Sequence, residues 1–421
     1  MDNLANYVAI GAAGLLGLYI LSLLMGSLRQ QSRMARHYEE QSLLFRARAE
    51  GLQRIRAEEI EKTQNTWAGL RKFKVARKVN EIADCHSIYL EPHDGRPLPP
   101  FEPGQFLTFK FAVPDQPSDV IRCYSLSDAP GRDYYRITVK KVLPPRGKPE
   151  IAPGVSSTFV NEILSEGDII DVRAPNGGFY LKREHKRPVV LIGGGVGITP
   201  VLSMLNYIVE HEPQRETWFF FGAPNKAGHI MKDHLAQIAA ENPNVRMHIC
   251  YSDPTDDDVL GEDYDHHARV SVELFKKVLP SNNFEYYFCG PPPMMNALDA
   301  DLKAWGVPEA DIHSEGFGPA SVKKPKPPAA EGAAEEKAVS VTFAKSGKTL
   351  DWTPAAGTIL DFAEANGVDI ASGCRAGSCG TCLTAVMEGD VDYETPPDAP
   401  IENGSCLACV GTPKGPIKIN A

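Results

Sequence analysis

The sequence predicts a multidomain chain: an N-terminal transmembrane helix, an antiparallel β-barrel or sandwich, an α/β domain on a parallel sheet, and a small cysteine-bearing C-terminal domain. Three observations predict this order. Residues 7–28 read YVAIGAAGLLGLYILSLLMGSL, without a charge. Short β-rich runs between turn clusters fill the stretch from Arg71 to Val142, then give way to alternating strand and helix patterns. Near the C-terminus, CRAGSCGTC is followed by a further cysteine after a gap. At 421 residues the chain has room for about three folded domains, and its net charge of −10 argues against a nucleic-acid partner.

The apolar run is about 33 Å long as a helix, which matches the hydrocarbon core of a bilayer. The residues before it carry Asp2 and no Lys or Arg, the wrong sign for a cleaved signal peptide. Arg29, Arg33 and Arg36 follow it, with no acid until Glu39. By the positive-inside rule this flank stays cytoplasmic, so a single-pass anchor is expected in the inner (cytoplasmic) membrane with the body on the cytoplasmic side. Ala9, Ala13 and Gly17 share one helix face, either a packing face or an incidental run of small residues. From Gln30 to about Asn65 the chain is rich in Glu, Arg, Gln and Ala and reads as a solvated helical stalk.

The runs FKVARKV, SIYLEP, QFLTFKFAV and YYRITVKKV, separated by HDGRPLPP and APGRD, predict antiparallel strands. Within them lies IRCYSLS, and beyond them APGVSSTFVNEI, where Gly154 precedes hydroxyl residues and a helical pattern. Free backbone N–H groups and hydroxyls at a helix start suit a phosphate, although a simple helix cap gives the same letters. VVLIGGGVGITPVLSML then combines a buried strand, a glycine turn (Gly193, Gly194, Gly195, Gly197) and a helix start at Thr199 and Pro200. Such a turn lets backbone approach a pyrophosphate at the positive end of a helix. TWFFFGA, HIMKDHLAQIAA, VRMHICYS and EYYFCGPPPMM continue the α/β alternation.

Cys374, Cys379, Cys382 and Cys409 have the C-x4-C-x2-C…C spacing of a [2Fe–2S] centre. Two bridged irons need four converging thiolates, three of them here from one glycine-rich loop. Zinc usually takes two separated pairs of cysteines, and only Cys406 and Cys409 could form a second pair. Both Cys406 and Cys409 could supply the fourth thiol on spacing alone.

Arg122, Tyr124 and Ser125 in R-x-Y-S, then Gly154 and Ser157 in G-x-x-S, resemble the ferredoxin-NADP reductase superfamily. GGVGITP, CGPPPMM and SEGFGP follow in that family's order, and the stretch is similar to the reductase half of flavohaemoglobins. The resemblance implies that Arg122 neutralises a flavin pyrophosphate, Tyr124 packs on the ring and Ser125 bonds near N5. Leu126, Ser127, Val155 and Ser156 flank these flavin-site positions. It also implies that Cys289, with Gly290 and Pro291, lies beside the nicotinamide, while Glu315 and Phe317 close over the flavin. Ser125, Cys289, Glu315 and Phe317 are thus the expected catalytic set. The likeness favours FAD, with FMN as the alternative because phthalate-dioxygenase-type reductases share this domain order and use it. Asp253, with Asp256 to Asp258, stands where NADP-users of the family place Ser-Arg, which favours NADH. The C-terminal region resembles the β-grasp fold of plant-type ferredoxins, whose L-x-C context selects Cys409. Its ten acids against five bases suit docking on a basic acceptor surface or simple solubility.

The expected domains are an anchor (1–28), a stalk (29–66), an FAD-binding barrel (67–185), an NAD-binding α/β domain (186–320), a linker (321–337) and a ferredoxin-like domain (338–421). NADH gives two electrons at once, a flavin accepts two and releases one, and the cluster carries one. The expected activity is therefore an NADH-dependent reductase serving a protein acceptor, such as an oxygenase or desaturase, which the anchor would let sit in the same membrane. A subunit of a respiratory NADH:quinone system is the alternative, although the sodium-pumping family has the opposite domain order. A redox sensor is a third class.

Overall fold

The computed structural model describes residues 66–317 apart from 145–146, and 338–421 apart from 374, 376, 378, 394–396, 398 and 400, with Met25 and Met34 as isolated helical residues. The chain divides into two units, Met1–Gln64 and Asn65–Ala421. The anchor, stalk and linker expected from the sequence lie almost wholly outside the described residues. Among the described residues, no helix is long and apolar enough to cross a membrane. Elements are given below for the described residues only.

The first sheet contains β1 (Arg71–Ile82), β2 (Cys85–Pro92), β3 (Phe106–Phe111), β4 (Val120–Ser125), β5 (Tyr135–Lys140) and β6 (Ile169–Asn176). Their order is β4-β3-β6-β1-β2-β5, with antiparallel pairing throughout. Alternation along β1 buries Phe73 and Val75 and exposes Lys72 and Lys74, as expected of a sheet with one face on a core. A bridge between Leu126 and Ile137 links the end of β4 to β5, so the two edge strands meet and the sheet closes on itself. Phe73, Leu90, Phe109, Ile137 and Val172 fill the interior, each contributing about 1.5–3 kcal/mol by leaving water. Helix α1 (Val155–Thr158) runs on into a π-helical turn, Phe159–Ile163.

The second sheet contains β7 (Val189–Gly194), β8 (Thr217–Ala223), β9 (Val245–Tyr251), β10 (His266–His267), β11 (Glu285–Cys289) and β12 (Ile312–Glu315). Helices α2 (Ile198–His211), α3 (Lys232–Glu241), α4 (Val272–Val278) and α5 (Pro292–Ala304) connect them. All pairs are parallel, in the order β10-β9-β8-β7-β11-β12. Strands β7 and β11 are buried along their whole lengths, as helices on both faces require. The chain moves outward from β7 through β8 to β10, then returns to β11 on the other side. That reversal makes a crevice beyond the C-terminal ends of β7 and β11, where open α/β sheets bind ligands.

The border between these two domains is not sharp at residue 185. Phe179 and Leu181, and Cys85 at the start of β2, are buried in the α/β core. Asp128, just past β4, is tied to α2: its carbonyl accepts from Ser203 Oγ at 2.7 Å and its Oδ1 from Asn206 Nδ2 at 2.9 Å.

The C-terminal domain has β13 (Val339–Phe343), β14 (Lys348–Trp352), α6 (Ile359–Ala365), β15 (Leu383–Glu388), β16 (Val391–Tyr393), β17 (Ser405–Leu407), β18 (Gly411–Pro413) and β19 (Ile417–Ile419). The sheet order is β14-β13-β19-β15-β17, with β16 and β18 as a separate pair. Thr358 and Asp361 form a reciprocal capping box that starts α6, and Leu360 N–H donates to Ala408 O at 2.8 Å. The helix start is thereby fixed beside the segment carrying Cys409.

Candidate functional site

At the end of β4 the structure brings together two motif segments that lie about thirty residues apart in sequence. Tyr124 OH and Ser156 Oγ are 2.9 Å apart. Burial raises the Tyr124 pKa, so the phenol stays protonated. Arg122 is exposed and donates to Ile121 O at 2.7 Å. Ser125 is buried, and its Oγ has no hydrogen-bond partner among the described residues. A buried hydroxyl without a partner costs about 1–3 kcal/mol, which a bound polar group would recover. Ser157 stitches the turn instead of facing outward: its Oγ accepts from Val142 N–H and donates to Gly154 O, both at 3.0 Å. Val155 is exposed beside it.

Leu126 and Ser127, expected among the flavin-site residues, are turned inward. Leu126 is buried in the barrel core, and its N–H donates to Gln105 O. Ser127 N–H donates to Arg136 O, while its Oγ accepts from Arg136 Nε at 3.1 Å and bonds Thr138 Oγ1 at 2.9 Å. Both side chains are fully buried, Leu126 among apolar neighbours and Ser127 on Arg136 and Thr138, so neither faces the surface.

The crevice of the α/β sheet holds the other expected residues. Gly193 and Gly194 end β7, and Gly195 adopts φ +54°, where a side chain would be strained. A Cβ on Gly197 would stand 2.6 Å from both the Cys289 carbonyl carbon and the Gly290 nitrogen. The glycine turn and Cys289-Gly290-Pro291 thus pack backbone on backbone. Helix α2 starts at Gly197 with no side-chain cap and no acid in its first turn. A 3-10 turn, Gly195–Gly197, runs directly into it and takes up the Ile198 N–H, so the positive end of the combined helix lies at the glycine turn, where its dipole can receive an anion. Thr199 Oγ1 donates back to Val196 O, and Pro200 is buried in the same turn.

Cys289 is fully buried and pairs with Gly193 on one side and Glu315 on the other. Burial, and then the charge of Glu315, push its thiol pKa well above the usual range, so it stays neutral. Phe317, two residues beyond β12, is 38% exposed. Asp253 is exposed in the loop after β9.

In the third domain the Cys382 and Cys409 sulfurs are 3.1 Å apart. The ladder of β15 with β17 sets this approach: Leu383 pairs with Leu407, and Ala408 N–H donates to Cys382 O. The hydrogen bond between the thiols lowers the Cys382 pKa. Cys379 is buried, its sulfur 3.2 Å from Thr381 Oγ1. Cys406 is opposite Thr384 and fully buried, and burial pushes its thiol up to about 12. Cys374 lies outside the described residues, and among the described residues no three metal-ligating side chains converge on one point. Two adjacent thiols, one with a lowered pKa, still suit an iron–sulfur cluster better than an apolar core.

Sequence reading did not find Asp128. Its carboxylate accepts from Asn206, Tyr134 and Ala129 N–H, and pairs with Arg136 at 3.4 Å. Asn206 is brought here by tertiary contact, whereas Ala129, Tyr134 and Arg136 are close in sequence, and the one-dimensional signal was only an acid in the turn-rich run SLSDAPGRD.

Two family models match the chain: the oxidoreductase NAD-binding domain over residues 191–300 and the 2Fe-2S iron-sulfur cluster binding domain over residues 341–414. A flavohemoprotein of Halalkalibacterium halodurans is 40% identical over 263 residues, covering 62% of this chain and 63% of that protein. The chain therefore spans less than two thirds of the length of that relative. The FAD/NAD-binding domain of nitric oxide dioxygenase from Vibrio cholerae is 32% identical with a TM-score of 0.52, and covers 59% of this chain and 99% of that one. Phthalate dioxygenase reductase, described as a modular structure for electron transfer from pyridine nucleotides to [2Fe-2S], is 26% identical with a TM-score of 0.50. It covers 84% of this chain and 98% of that one. The orphaned Ser125 hydroxyl, the uncapped helix behind the glycine turn and the paired thiols fit FAD, NAD and the cluster respectively. The chain belongs to the ferredoxin-NADP reductase superfamily, with an FAD/NAD-binding module and a C-terminal [2Fe-2S] domain in a phthalate dioxygenase reductase-like architecture.

Proposed function

We propose that this chain is a membrane-anchored NADH-dependent reductase that passes electrons singly to a protein acceptor of the oxygenase, desaturase or cytochrome P450 kind. The observation that carries this reading is the joining, in one chain, of a dinucleotide crevice at β7 and β11 to a domain presenting the Cys382–Cys409 thiol pair. FAD would take a hydride as two electrons, and the cluster would pass them on one at a time. The residues supply position. Gly193 to Gly197 and the α2 N-terminus hold the coenzyme pyrophosphate, and the neutral Cys289 thiol packs beside the nicotinamide without offering a competing charge. Arg122 meets the flavin phosphates, and Ser125 donates to the flavin edge. Cys374, Cys379, Cys382 and Cys409 hold the irons. The acceptor class is supported by the likeness to phthalate dioxygenase reductase and to the Amycolatopsis cytochrome P450 reductase, which is 27% identical with a TM-score of 0.50.

Purified protein should oxidise NADH with ferricyanide as one-electron acceptor. Cys379→Ser should erase the rhombic EPR signal of the reduced cluster while NADH still bleaches the flavin. Loss of both in a folded variant would sink the modular reading. The uncharged run at residues 7–28 and the arginines after it support the anchor. Release of the full chain from membranes by alkaline carbonate would count against it.

A further inference from the structure

The glycine turn has β11, with Cys289, on one side and β8, then β9, on the other. A dinucleotide whose nicotinamide end lies at Cys289 must run its adenosine end across the C-terminal ends of β8 and β9. The loops that leave those ends are sewn together. Asp253 N–H donates to Pro224 O at 2.8 Å, and Lys226 N–H donates to Asp258 Oδ1 at 3.3 Å. Beneath them lies Asp263, its side chain only 6% exposed. Its carboxylate takes both ammonium groups of this corner: Lys226 Nζ is 2.9 Å from Oδ1, and Lys232 Nζ pairs with the same oxygen. Val259 N–H donates to the other oxygen at 3.0 Å. The lysine pairs and the Val259 N–H hold the Asp263 carboxyl well below the usual carboxylate range.

We propose that Asp263 sets the choice of coenzyme by holding Lys226 and Lys232 away from the adenosine 2′ position. Lys226 and Lys232 against Asp253, Asp256, Asp257, Asp258, Glu262, Asp263 and Asp265 leave residues 224–232 and 252–265 at a net charge of −5. The 2′-phosphate of NADPH therefore meets repulsion, while the 2′-hydroxyl of NADH does not. Freeing both ammonium groups would create the charge-assisted donors that a phosphate needs. The inference rests on the nicotinamide reading above and adds a residue that acts through its neighbours, a positioning residue.

The test uses the full chain carrying its flavin and cluster, with ferricyanide as acceptor. Asp263→Asn keeps the side-chain size and one acceptor oxygen. It should raise kcat/KM for NADPH relative to NADH about tenfold, the order expected for removing one unit charge near a partly solvated phosphate. Lys226→Ala in that background should take back most of the gain, which a merely structural role for Asp263 would not produce. An unchanged ratio in Asp263→Asn protein that melts with the wild type overturns the proposal. If Asp263→Asn does not fold, Asp263→Ser, which keeps an acceptor for Val259 N–H, decides. The NADPH-to-NADH ratio should rise by the same order, and an unchanged ratio in folded protein overturns the proposal. Wild-type protein that oxidises neither coenzyme would instead overturn the nicotinamide reading itself, and the inference with it.

Discussion

His229 is a buried base with half its hydrogen-bonding capacity unused. Nδ1 is 2.9 Å from Tyr251 OH, and Nε2 has no partner among the described residues. Burial, with help from the Lys232 charge, lowers its pKa from 6.5 to about 4. The unfolded chain therefore binds a proton that the native state refuses between those values. Stability is full above pH 6.5 and falls as the pH drops toward 4, by at most about 3 kcal/mol. His229→Gln should flatten that part of the pH dependence in urea melts at pH 7 and 4.5, and parallel curves would refute the assignment. The cysteines make a second contrast at this scale. Cys409→Ser should abolish the cluster's EPR signal, because Cys409 is the residue whose sulfur approaches Cys382. Cys406→Ser should keep the signal and cost about 1–3 kcal/mol for a hydroxyl in an apolar core.

The turn between β7 and α2 shows two different reasons for glycine. Gly197 leaves no volume, so Gly197→Ala should overpack the contact with Cys289 and cost about 1–3 kcal/mol along with coenzyme affinity. Gly195 has open space around it but a left-handed backbone, so Gly195→Ala should cost about 1–2 kcal/mol from strain. Thermal melts and NADH titration separate the two, and equal losses of affinity would contradict the geometry. Elements of this kind were legible because their cause is local: alternation exposed β1, and an unbroken apolar run exposed β7. Phe179 and Leu181 were assigned to the barrel domain by position, yet they are buried in the α/β core. The sequence holds their hydrophobicity but not its direction. Ser127 and Asp128 show the same limit at the site, since an inward or outward polar group reads identically until its partners are placed.

At the scale of the whole molecule, the barrel and the α/β domain share core residues and a pinned turn, while the third domain is built around its own core. On the proposed function, hydride transfer would fall within the fused pair and one-electron transfer in the separately packed domain. Asp128 has a further consequence. Three residues after Ser125, it grips α2 through Ser203 and Asn206, and the near end of that same helix opens at Gly197. A nucleotide seated on the helix tip would therefore bear, through α2 and Asp128, on the segment that carries Ser125, which would hold the flavin. A redox-dead analogue such as ADP-ribose should shift the visible absorption bands before any electron moves, and cutting this link with Asn206→Ala should mute that colour change while NAD-site affinity persists.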